Sequence, residues 1–143
     1  MRIALATGLL VVALPGCQAA TDLRPVVERR PGVLSIGEEP LVTVPAEGTA
    51  GVPVAVTVVT WGGGCVRQGT TEASVDALAA DVRPYDSVYV YLPPHMACTA
   101  DLRRYTHAAT VTFATAGAAR LRVHGWSEPA KASIVVERAI QIR

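Results

Sequence analysis

The sequence predicts an all-β domain, an antiparallel sandwich of two sheets with about seven strands. Three observations carry this expectation. Short runs rich in Val, Ile and Thr alternate apolar and polar residues with period two, the signature of strands buried on one face. The runs recur about every ten residues, the spacing of sandwich strands. Gly (12) and Pro (10) fall between the runs rather than in clusters, and with no asparagine present Gly, Pro and Asp must make the turns. Of 143 residues, 50% are hydrophobic and 17% charged, enough apolar matter for a packed core. Aromatics are only 5%, so aliphatic side chains must fill it. A net charge of +1 does not provide the strongly basic face that nucleic acid demands, and no nucleic-acid partner is expected.

Arg2 precedes the apolar run Ile3 to Leu14, which has the length of a signal-peptide core and is too short to span a bilayer comfortably. A signal helix is expected over residues 1–16. The segment 17–32 contains "QAATDLRPVVERRPG", polar, interrupted by proline and without periodicity. It reads as a flexible tether. The folded domain is then expected over 33–143.

The quartet Leu14-Pro15-Gly16-Cys17 resembles the bacterial lipobox, with leucine three residues and a small residue one residue before the cysteine. The resemblance implies that Cys17 carries a diacylglyceryl thioether and becomes the mature N-terminus. Acyl chains on one residue hold a domain at a membrane because each buried methylene contributes about 0.8 kcal/mol. Gln18 follows the cysteine in place of Asp. By resemblance to enterobacterial lipoproteins, this favours the outer membrane or cell surface of a bacterial envelope, with the domain facing the periplasm or the exterior.

The strands follow in order. "LVTV" (Leu41–Val44) is the first short run after Val33. In Val52–Trp61, Val54, Val56 and Val58 share one face and Ala55, Thr57 and Val59 the other. In Asp86–Pro94, Val88, Val90 and Leu92 oppose Tyr89 and Tyr91. His107–Gly117 groups Ala109, Val111 and Phe113. Ala119–Trp126 turns Leu121 and Val123 inward and Arg120, Arg122 and His124 outward. Ala132–Ile142 aligns Ile134, Val136, Ile140 and Ile142. The stretch 72–83 is ambiguous. It reads as a strand with a bend, or as a short helix over Asp76 to Ala80 capped by Ser74, because Ala and Leu favour helix.

"ATVTFATAGAARLRVHG" (Ala109–Gly125) resembles the passage between the fifth and sixth strands of bacterial immunoglobulin-like and fibronectin-type-III-like modules. Ala119 stands near the place where those modules often carry a corner tyrosine. The resemblance implies that the sandwich is immunoglobulin-like.

Cys65 and Cys98 remain once Cys17 is assigned to lipid, and an even pair in an exported domain reads as a disulfide. Closing a loop of about thirty residues contributes on the order of 3–4 kcal/mol. The competing reading is a copper site built on "HMAC", with His95, Met96 and Cys98 as soft ligands completed by Cys65, His107 or His124. It needs the same Cys98. His107 at a strand start and His124 beside Arg120 and Arg122 otherwise read as rim or solvated residues.

Catalytic motifs are missing. Ser35, Ser74, Ser87, Ser127 and Ser133 lack a Gly-x-Ser-x-Gly elbow. Asp86 and Asp101 are candidate neighbours of His95 without a pattern that aligns them. "WGGGC" has no following lysine to bind phosphate. No enzymatic activity and no cofactor are therefore expected. Arg103–His107 and Arg120–His124, with Tyr105 and Trp126, form either a solvated basic face or a surface for an acidic glycan or protein. Trp61 and Trp126 close a core or rim, or else bind sugar. The expectation is a non-enzymatic envelope lipoprotein, held at the membrane through Cys17 and acting as a structural or interaction module for a protein or glycan partner.

Overall fold

A computed structural model describes residues 24–143, and every regular element among them is a β-strand. Cys17, the expected signal helix over 1–16 and the first part of the tether lie outside the described residues. The strands are β1 (Val26–Pro31), β2 (Val33–Ser35), β3 (Val42–Thr43), β4 (Glu47–Gly48) and β5 (Val54–Gly62). They continue as β6 (Val66–Asp76), β7 (Ala79–Tyr91), β8 (Arg103–Val111), β9 (Gly117–Ser127) and β10 (Ala132–Ile142). The count exceeds the expected seven because β1, β2 and β4 lie outside the runs read from the sequence.

All ten belong to one curled, hydrogen-bonded sheet. β5 pairs antiparallel with β8 along its whole length, from Val54↔Val111 to Gly62↔Arg103. β9 and β10 form the longest regular ladder, from Gly117↔Ile142 to Ser127↔Ala132. β7 pairs with β6 on one side and, on the other, first parallel with β9 and then antiparallel with β1. The short β2 joins the two halves: Val33 pairs with Trp61 of β5 and with Trp126 of β9.

The core lies inside the curl. Val54, Val56 and Val58 of β5 meet Leu121 and Val123 of β9, Ile140 and Ile142 of β10, Val82 of β7 and Phe113. Each is at most 5% exposed, and each large side chain so buried contributes about 1.5–3 kcal/mol of transfer free energy. Phe113 is the only phenylalanine of the chain and is fully buried.

Three segments depart from the sequence reading. Val26–Pro31, expected in the tether, is a strand along β7, so strand structure begins at Val26 and not at residue 33. All six of its side chains are exposed; backbone pairing, not apolar alternation, holds it. The ambiguous stretch 72–83 is strand, forming the β6–β7 hairpin around Ala77 and Leu78, because cross-strand pairing outweighs the helical preference of Ala and Leu. The even-numbered face of β7 is buried from Ala80 to Asp86, but Val90 is 41% exposed. Beyond Val82 the neighbour of β7 changes from β9 to β1, and the strand runs off the core.

Candidate functional site

Val33 organises the site. It pairs directly with Trp61 on one side and Trp126 on the other, and directly opposed residues of neighbouring strands project to one face of the sheet. On β5 and β9 this is the face opposite the buried valines and leucines. The two tryptophans therefore flank a valine outside the core. Around them lies a cleft of about 540 Å³ whose walls include Pro31, Val66, Val88 and Asp86. That volume suits a small organic ligand. Trp61 is 7% exposed, and the Arg104 guanidinium lies 4.6 Å from its ring centroid. Trp126 is half-buried.

Asp86 links the cleft to a polar cluster beneath it. Its Oδ1 lies 3.1 Å from His107 Nε2. The same ring nitrogen is 3.1 Å from Thr60 Oγ1, and Nδ1 is 2.9 Å from Thr71 Oγ1. Asp86 is 2% exposed, while His107 and Thr60 are fully buried. The second carboxyl oxygen, Asp86 Oδ2, has no hydrogen-bond partner among the described residues. Gly32 permits this packing, since a Cβ there would stand 2.4 Å from Thr60 Cγ2 and 3.1 Å from Asp86 Oδ2.

His107 is thus not a rim residue. It shares parity with Ala109, Val111 and Phe113, so the alternation of β8 carries it inward to partners from β5, β6 and β7. Asp86 pairs with this histidine and not with His95, which is exposed on the loop before β8. A hydroxyl–imidazole–carboxyl chain is a familiar catalytic arrangement, but here the Thr71 hydroxyl meets Nδ1 and the carboxyl meets Nε2. That reverses the usual serine-hydrolase layout. With His107 wholly buried, neither nitrogen is open to a substrate.

The other polar cluster lies on the outer face of β7 and β9. His124 Nε2 donates to Asp81 Oδ1 at 2.5 Å, and Arg122 Nη2 donates to Oδ2 at 2.6 Å. The hydrogen bond from His124 holds the Asp81 carboxyl below its usual range; partial burial opposes this and Arg122 reinforces it. His124 is accordingly engaged with a carboxylate, at 31% exposure, and not simply solvated. Asp101, named with His95 in the sequence, instead bonds Thr99 and Arg103.

Cys65 and Cys98 stand at disulfide distance, with Cα atoms 5.0 Å apart. The pair fastens the loop 92–102 to the turn between β5 and β6. Gly64 donates its amide to the Thr99 carbonyl at 3.2 Å, and the Cys65 carbonyl accepts from the Tyr89 amide at 2.9 Å. Gly64 of "WGGGC" therefore serves close backbone approach. Cys98, the thiol that a copper site would need, faces Cys65. Among the described residues there is no group of three or more His, Cys, Asp or Glu that could hold a metal ion, and no helix long and apolar enough to cross a membrane.

Sequence reasoning missed the Asp86–His107 contact and the cleft. Compared with protein-family models, curated proteins and solved structures, the chain gives no match.

Proposed function

We propose that this protein is a cell-envelope lipoprotein, anchored through Cys17, whose β-domain is a non-enzymatic interaction module with the Trp61–Trp126 cleft as its binding face. The observation that carries the binding role is the cleft itself, a ligand-sized hollow bounded by two indoles and a buried carboxyl. Two further features support the address. Cys65 and Cys98 sit at disulfide distance, which suits an oxidising compartment. The third cysteine, Cys17, stands at the end of the lipobox-like quartet. The inverted, buried Asp86–His107–Thr71 chain supports a non-enzymatic role.

We read the curled sheet as an immunoglobulin-like sandwich. β3, β5 and β8 form one wall and β4, β10, β9, β7 and β6 the other, with the valine, leucine and isoleucine core between them.

Fractionation of the producing cells tests the anchor. The wild-type chain is expected in the membrane fraction, and Cys17→Ser is expected to appear in the soluble extracytoplasmic fraction. Wild-type protein found soluble would overturn the anchored reading.

A further inference from the structure

We infer that the cleft binds a primary alkylammonium group, with the ammonium donating to Asp86 Oδ2 and the alkyl stem lying against Trp61 and Trp126. This rests on the reading of the cleft as the binding face. Among the described residues, Asp86 is the only one on the wall that is both ionisable and nine-tenths buried. One of its oxygens is engaged by His107, and the other has no partner. A buried carboxylate oxygen left without a donor is costly, so a ligand that supplies one gains a strong, charge-assisted bond.

The chemistry of that donor follows from the geometry. A carboxylate accepts only, so the ligand must bring N–H or O–H. A guanidinium fork matches two carboxylate oxygens at once, and here a single, buried oxygen lacks a partner. An ammonium is a compact point charge with three donors and fits one acceptor. The indoles favour the same charge, because a cation is attracted to the ring face of tryptophan. Trp61 already holds the Arg104 guanidinium in this way. The two basic residues on the cleft wall do not compete: Arg30 bonds Glu28 and Lys131 bonds Glu128. Val33, Val66 and Val88 supply the apolar surface for the stem.

Two sources carry this chemistry, a free amine and a lysine side chain of a protein partner. Both tryptophans of the chain line the cleft, so intrinsic fluorescence reports occupancy there. The full chain is titrated in detergent with n-pentylammonium chloride, Nα-acetyl-lysine methylamide, 1-pentanol and methyl glucoside, with calorimetry in parallel. Saturable binding of an ammonium probe is expected, with 1-pentanol at least about tenfold weaker, the loss expected of a charged hydrogen bond. Tighter binding of the lysine amide identifies a protein partner as the source, and tighter binding of pentylammonium a free amine.

Asp86→Asn is expected to weaken ammonium binding about tenfold or more. Trp126→Leu, which leaves the Asp86–His107 contact in place, is expected to weaken it by calorimetry with an unchanged melting temperature. Equal binding of 1-pentanol, or preference for methyl glucoside, overturns the ammonium inference and leaves the cleft a binding site. A cleft silent to all four probes overturns both the inference and the binding face, while the anchored reading is still decided by the Cys17→Ser fractionation.

Discussion

Ala77 adopts φ 51° at the tip of the β6–β7 hairpin, a left-handed conformation that costs an L-residue about 1–2 kcal/mol. Ala77→Gly removes that cost and gives back part of it as unfolded-chain entropy. The variant is expected to be about 0.5–1 kcal/mol more stable by urea titration. At Asp81 the prediction concerns pH. The folded carboxyl sits below its usual value of 3.8, so the interaction contributes fully above that value and is lost as pH falls through the lower, folded one. The urea midpoint of the wild type should therefore drop more steeply below pH 3.8 than that of Asp81→Asn. Near neutrality the two should differ by about 1 kcal/mol or less, since His124 and Arg122 are 31% and 40% exposed. His107 is a larger matter. His107→Leu strips Asp86 of its one partner and is expected to cost about 3–5 kcal/mol, as when a buried polar pair is broken from one side. The double variant Asp86→Leu/His107→Leu should cost less than the two single changes added together, which a double-mutant cycle reads directly.

At the scale of elements, the disulfide pair and the β5–β6 turn act together. Gly64 is required by close approach: a Cβ there would lie 2.5 Å from the Thr99 amide nitrogen and 2.8 Å from its carbonyl oxygen. Gly64→Ala should displace the loop 92–102 and lower stability by about 1–3 kcal/mol. Cys65→Ser/Cys98→Ser opens a closure with a sequence separation of 33 and is expected to cost about 3–4 kcal/mol in thermal or urea unfolding.

The legibility of the elements follows the same physics. β5, β9 and β10 were readable because Val54/Val56/Val58, Leu121/Val123 and Ile140/Ile142 face a core, and a core imposes period two. β1 was not, because all six side chains are exposed and only its backbone is bound. The β6–β7 hairpin was ambiguous because Ala77-Leu78 is a turn without Gly or Asp at its tip. The cleft was invisible for another reason. Trp61 and Trp126 become neighbours only through Val33, which belongs to a strand of three residues. His107 carried a usable signal, its shared parity with Val111 and Phe113, but its partners come from three other strands.

At the scale of the whole molecule, the proposed arrangement is a lipid-bearing N-terminus followed by an oxidised β-domain with a cleft outside the core. The intact mass of native protein extracted from its own cells tests the central claim most directly. The account predicts a chain beginning at Cys17, heavier by its acyl groups, with Cys65 and Cys98 linked and no thiol open to alkylation before reduction. A soluble chain that retains its first sixteen residues, unacylated and with every cysteine alkylated without reductant, would contradict it.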